Sequence, residues 1–183
     1  MLEEGNEEYV YLTNNNLYLK YTYNNDIILL GDFYVRRYMY DLMEKEGFTM
    51  SRVPQLEYAF CAEYGSGHPV ICILGEYDAL PGMSQKIVES KDPIVPGGAG
   101  QGCAHNLLGV TSLGAVIGMK AELEAKGLEG TVIYYGCPGE EVLTGKSFMA
   151  REGAFKDLDF AMSWHGGNGN RLNCGTMTGL NSA

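Results

Sequence analysis

Residues 70–82 read VICILGEYDALPG. From Val70 to Gly75 the chain is a short, unbroken apolar run. Such a run is the pattern of a strand covered on both faces, since a half-exposed strand alternates apolar and polar residues. Glu76 and Asp78 stand at its carboxyl end, and Pro81 and Gly82 close it. The same pattern recurs downstream. TVIYYGC (131–137) reads as a buried strand and leads through a Pro-Gly turn into Glu140 and Glu141. LDFAMSW (158–164) reads as a third strand that runs into His165. A helix is predicted from about Ala104 to about Lys126, with Gly127 as its stop, and a short one over KSFMAREG (146–153). Strands alternating with helices predict an α/β fold, a sheet with helices on its faces. Ligands of such sheets bind at the carboxyl ends of the strands, where these acids and the histidine sit.

Upstream, LEYAFCAEYG (56–65) predicts a strand closed by the turn GSGHP. Its nearness to the 70–75 strand predicts an antiparallel pair. Phe33 to Glu46 predicts a helix ended by Gly47. Residues 1–31 are dense in Tyr, Asn and Leu and read either as a β-hairpin with Asn-rich turns or as an extension. Residues 81–102, rich in Pro and Gly, predict a long loop, and loops of this length are usually functional or disordered.

Composition narrows the function classes. The 183 residues are 45% hydrophobic and carry a net charge of −10. That apolar content suits a packed core. The acidity argues against nucleic acid and against an anionic membrane surface, both of which call for Lys and Arg. The five cysteines, Cys61, Cys72, Cys103, Cys137 and Cys174, are odd in number and match no disulfide framework. The acidic N-terminus lacks the pattern of a signal peptide, and LLGVTSLGAVIGM (107–119) is too short to span a bilayer. A soluble, cytoplasmic protein in a reducing compartment is expected.

GQGCAHN (100–106) sets Cys103 and His105 two positions apart behind glycines. Residues i and i+2 point the same way in an extended segment but diverge around a helix, so both reach one point only if they lie before the helix is established. Thiolate and imidazole are good ligands for zinc and similar ions. The alternatives are an ordinary helix start with a surface histidine, or a Cys-His nucleophile pair. Partners of such a pair usually come from separate parts of the chain. In GCPGEEV the side chains of Glu140 and Glu141 diverge. A metallohydrolase uses that division, with one carboxylate as ligand and the other as general base. Two solvated glutamates at a helix start are the plain alternative. His165, before two glycines, reads as a ligand or as a turn residue. Glu76 and Asp78 read as charged strand-end residues or as carboxylates that hold a ligating histidine. His68, in the GSGHP turn, is assigned no function.

ILGEYDALPGMSQ, GQGCAHNLLGV, GCPGEE, GKSFMAREGAFKDLD and SWHGG occur in that order. Together they resemble the dinuclear metal amidohydrolases of the aminoacylase and glutamate-carboxypeptidase superfamily, over about residues 48–183. The resemblance implies a zinc-peptidase-like mixed sheet with helices on both faces. It implies hydrolysis of an amide bond between an acyl group, often aromatic, and an amino acid, so a small acyl-amino acid is the expected partner. It carries the metal-ligand positions onto Cys103, His105, Glu141 and His165, the general base onto Glu140, and a supporting catalytic acid onto Asp78. Two divalent ions, zinc or manganese, are implied. Family members insert a lid or dimerisation domain after the WHGG-like segment and then return with one more metal-binding histidine. Residues 48–183 are therefore expected to be the N-terminal part of such a catalytic domain, residues 1–47 an additional segment and helix, and the full-length relatives dimeric. A non-catalytic fragment that binds a metal or a partner without turnover is the alternative.

Overall fold

The computed structural model describes residues 9–13, 16–20 and 27–169, with side chains from residue 36 onward. Strands β1 (Tyr9–Thr13) and β2 (Asn16–Lys20) pair antiparallel, as the hairpin reading of this region anticipates. Helix α1 (Ile27–Lys45) begins earlier than its apolar stripe indicates. Then follow β3 (Thr49–Arg52), β4 (Phe60–Ser66), β5 (Val70–Glu76), α2 (His105–Lys126), β6 (Gly130–Cys137), α3 (Gly145–Arg151) and β7 (Phe160–Met162). Strand β3 escapes the sequence pattern because TMSR is too polar and too short to carry a period. Strand β7 is shorter than the apolar run that predicts it. Cys174 lies outside the described residues.

Five strands form one mixed sheet in the order β3-β4-β6-β5-β7. The antiparallel pair expected between β4 and β5 does not form. Strand β6 lies between them, antiparallel to β4 and parallel to β5. Strand β6 is buried along its whole length, so the sheet places its most buried strand centrally, which a β4–β5 hairpin would prevent. Strand β7 also runs parallel to β5, with Ile71 opposite Phe160 and Ile73 opposite Met162.

The two-residue period of the strands divides the core. Phe60, Ala62, Ile73, Val132 and Tyr134 face α1 and α2, against Met39, Met43, Leu113 and Val116. Cys61, Cys72, Ile133, Tyr135 and Cys137 face the other way, against Met149 of α3. Helices thus cover both faces. Each fully buried large side chain among them contributes about 1.5–3 kcal/mol. Burial pushes the thiols of Cys61, Cys72 and Cys137 well above their usual pKa, to about 11 for Cys61 and about 12 for Cys137. They behave as small hydrophobes. No helix among the described residues is long and apolar enough to cross a membrane.

Two local devices fix the parts that carry the site. Helix α2 lies so close to the end of β5 that a Cβ at Gly109 would stand 2.5 Å from the Glu76 carbonyl oxygen. At the other end of the sheet Asp159 ties β7 to β5: its Oδ2 accepts from the Val70 amide at 2.7 Å and lies 2.5 Å from His68 Nδ1. His68 thus has a structural contact.

Gly109→Ala is expected to destabilise the protein by about 1–3 kcal/mol, because the added methyl meets backbone and not a yielding side chain. A chemical-denaturation midpoint measures it. The Val70 amide and His68 hold the Asp159 carboxyl below its usual range. Its tie to β5 is therefore present above about pH 4 and is lost as pH falls through the lowered value. Amide exchange at Ala161 and Met162 is expected to quicken on that acid limb, and in Asp159→Ala at neutral pH.

Candidate metal centre

Strands β5, β6 and β7 run the same way, so their carboxyl ends share one edge of the sheet. Glu76 and Asp78 follow from β5, Glu140 and Glu141 from β6, and His165 from β7. The long loop after β5 doubles back on itself. Leu80 and Gly100 exchange both backbone hydrogen bonds at 3.0 Å, and the Ser84 amide donates to the Gly98 carbonyl at 2.9 Å. The loop therefore returns Cys103 and His105 to the edge from which it started.

Ala104, with φ of 63°, caps α2 in the left-handed conformation, unusual for a residue with a Cβ. This turn separates Cys103 from the helix, so that its sulfur and the His105 ring face one place, as their spacing requires. Gln101 Oε1 accepts the Asn106 amide at 3.0 Å and serves the helix start in place of a capping side chain at Ala104.

His105 is completely buried. Its Nδ1 lies 2.8 Å from Asp78 Oδ1, and the carboxylate can only accept, so Nδ1 carries the proton and donates. In the neutral ring the lone pair then sits on Nε2, which has no hydrogen-bond partner. His165 repeats the device: its Nδ1 donates to the Gly166 carbonyl at 3.0 Å. Its Nε2 stands 3.2 Å from Cys103 Sγ. The two rings meet edge to face with centroids 5.9 Å apart. Donor atoms of Cys103, His105 and His165 all lie within 4.8 Å of one another.

The carboxylates surround the same ring. Glu140 Oε2 lies 3.7 Å from Nε2, and Glu141 Oε1 lies 3.7 Å from Nδ1. The divergence expected of adjacent residues is real, yet both side chains reach His105, on opposite edges of the ring. Asp78 Oδ2 accepts the Glu141 amide at 2.9 Å, so one buried carboxylate positions both His105 and Glu141. Glu141 Oε1 is itself buried without a hydrogen-bond partner.

Burial alone would raise the Asp78 pKa, but the His105 and Glu141 hydrogen bonds outweigh it and hold the carboxyl below its usual range. Burial alone would lower that of His105, but Asp78, Glu76 and Glu141 together raise it. Burial, then Glu141, Glu140 and Glu76, push the Cys103 thiol up. A thiol so surrounded is far from the electropositive setting of a nucleophilic cysteine. A cation would reverse that bias.

The unpartnered, fully buried Nε2 of His105 and the unpartnered Glu141 oxygen are what a cation site shows when its donors are preset. Sulfur, two imidazole nitrogens and carboxylate oxygen suit a divalent transition ion. The structure gathers the residues the sequence marks around one ring: Cys103, His165 and Glu140 share donor groups with His105, whereas Glu141, marked as a ligand, stands with Asp78 at the Nδ1 edge and outside both groups. It adds two whose part the sequence leaves open or hides. Glu76, read as a strand-end acid, sits 3.2 Å from His105 Nε2 through its Oε2. Lys146, at the start of α3, donates to Glu76 Oε1. The one signal for Lys146 is a lone cation in a short helix start, TGKS. An apolar cavity of about 570 Å³ lies elsewhere, at the amino ends of β5 and β6 by Pro69, Gly130 and Thr131.

No family model matches the chain. It is 47% identical over 136 residues to a subunit of the p-aminobenzoyl-glutamate hydrolase of Escherichia coli (strain K12), a match covering 73% of this chain and 28% of that protein. It is 32% identical over 97 residues to Xaa-Arg dipeptidase of Mus musculus, covering 52% of this chain and 19% of that protein. The chain thus spans less than a third of these curated relatives. A crystal structure of a dinuclear metal-binding peptidase of the M20 family from Bacillus subtilis superposes with a TM-score of 0.59 at 24% identity, over 70% of this chain and 36% of that one. This last likeness establishes a shared α/β fold. The curated relatives add a likeness in sequence, and on both counts the chain resembles the aminoacylase-like peptidases.

Asp78→Ala is expected to cost the metal-free protein about 1–3 kcal/mol, because it strands the His105 Nδ1–H and the Glu141 amide together. The raised His105 contributes below about pH 6.5 and loses its contribution as pH rises through its folded value, while the lowered Asp78 contributes above about pH 4. The gap between wild type and variant in urea unfolding is therefore expected to be widest between these two pH values.

Proposed function

We propose that this chain carries the metal centre of a hydrolase that cleaves the amide bond between an acyl group, often aromatic, and an amino acid. The observation that carries this reading is the buried His105: donor atoms of Cys103 and His165, and of Glu76 and Glu140, gather within reach of its ring, Nε2 has no hydrogen-bond partner, and Asp78 fixes the other nitrogen. The likeness to a component of an aminobenzoyl-glutamate hydrolase supports acyl-amino acids as the substrate class. Cys103, His105, Glu141 and His165 would hold two divalent ions, zinc or manganese. When bound, these ions supply Lewis acidity to a carbonyl and to an attacking water.

The protein's own side chains supply the rest. Glu140 is 31% exposed, the most open of the four carboxylates on this centre, and so the one reached by solvent and substrate. It accepts the proton of the attacking water and passes it to the departing amine. Asp78 does not meet substrate; it holds the His105 tautomer and the Glu141 backbone. The raised thiol of Cys103 speaks against a cysteine nucleophile, even though His165 lies beside it.

Glu140→Gln is expected to lower kcat on aminobenzoyl-glutamate by about a hundredfold or more, with ion content unchanged. Elemental analysis beside the assay separates the outcomes. Near-stoichiometric ion with turnover abolished in the variant supports the reading. Bound ion with no wild-type turnover of any acyl-amino acid favours a non-catalytic metal-binding role.

A further inference from the structure

His105 is shared by two donor sets. Cys103 and His165 form a soft one with it, and Glu76 and Glu140 a hard one. Nδ1 is committed to Asp78, so Nε2 alone is available, and one nitrogen lone pair serves one ion. An ion drawn to the sulfur and His165 and an ion drawn to the two glutamates therefore compete for the same atom.

Lys146 stands on one side of this competition. Its Nζ donates to Glu76 Oε1, and Glu76 itself is only 9% exposed at its side chain. The position of Lys146 is built into the backbone: a Cβ at the preceding Gly145 would fall 1.7 Å from the Pro138 carbonyl oxygen. Glycine there lets the start of α3 sit directly against the turn after β6. The lysine ammonium thus reaches across to the end of β5, a contact spanning 70 residues of sequence. An ammonium on one oxygen of a carboxylate withdraws charge from the other and adds a positive neighbour to any cation placed there.

Building on the metal-centre reading above, we propose that Lys146 is a positioning residue for ion selectivity: by holding Glu76 it weakens the hard set and gives the shared His105 nitrogen to the Cys103–His165 set. The preference that follows is for a soft-tolerant ion such as zinc over an oxygen-preferring one such as manganese. Release of Glu76 tilts the centre the other way.

The test is the ratio of manganese to zinc affinity, measured on the metal-free protein by competition with a chromophoric chelator. Lys146→Met is expected to raise that ratio about tenfold, and Lys146→Arg, which keeps the cation, to leave it near wild type. Glu76→Gln alone is expected to lower both affinities alike with the ratio unchanged, and the double variant Glu76→Gln/Lys146→Met to keep the wild-type ratio. An unchanged ratio in a folded Lys146→Met overturns the inference. So does a Glu76→Gln variant whose ratio shifts by about tenfold, which would make Glu76 a ligand already engaged in wild type. The Glu76→Gln arm can still overturn the inference even if Lys146→Met does not fold. A wild-type protein that binds neither ion sinks the metal-centre reading itself, whereas binding with an unmoved ratio sinks the role of Lys146 alone.

Discussion

Strand β5 lies parallel to both of its neighbours, and the site depends on that alignment. Gly75 pairs with Gly136 and Glu76 with Cys137 on one side, and Ile73 with Met162 on the other. The loops that leave these strands therefore start at one edge. A strand of this length spans about 20 Å, so reversing any one of the three would carry its acids or histidine to the far side of the sheet. Parallel neighbours also require crossovers, and helix α2 is the crossover from β5 to β6. Its amino end begins where β5 ends, which is why Cys103 and His105 belong to the same edge.

That convergence creates an electrostatic problem. Four carboxylates and a thiol crowd around one buried imidazole. Asp78 is reconciled to burial by two hydrogen bonds, one to a ring nitrogen and one to a backbone amide. Glu76 is reconciled by Lys146. Glu141 Oε1 and His105 Nε2 are left without hydrogen-bond partners. Unpaired buried groups are uncommon because each carries a desolvation penalty of about 1–3 kcal/mol. Their presence on two edges of one buried ring, with sulfur and a second imidazole near it, is the pattern that a cation resolves.

Much of this is readable in the chain. The apolar runs at 70–75 and 131–137 become β5 and β6, and Gly127 stops α2 in the left-handed conformation. The spacing of Cys103 and His105 demands a turn before the helix, and Ala104 makes that turn. Other features are not readable. The short β3 carries too few residues for a period to emerge. Proximity in sequence suggests a β4–β5 hairpin, but β6 takes the place between them, where it is buried along its whole length with both faces covered. The part played by Lys146 is invisible, since one lysine at a helix start has no periodicity or motif to mark it.

The amino-acid sequence by itself determined most of the segments that are strands and helices, β3 excepted, and that acids, histidines and a thiol would stand near where those strands end. These are properties of local pattern: side-chain period, turn chemistry and the glycines and prolines that punctuate them. Tertiary structure alone decided that Cys103 meets His165, that Asp78 serves His105 and Glu141 together, and that Lys146 reaches Glu76. Each of those contacts joins residues well separated in the chain. Their distance is set by strand order and register, which follow from the packing of the whole sheet and are encoded in no single stretch of the chain.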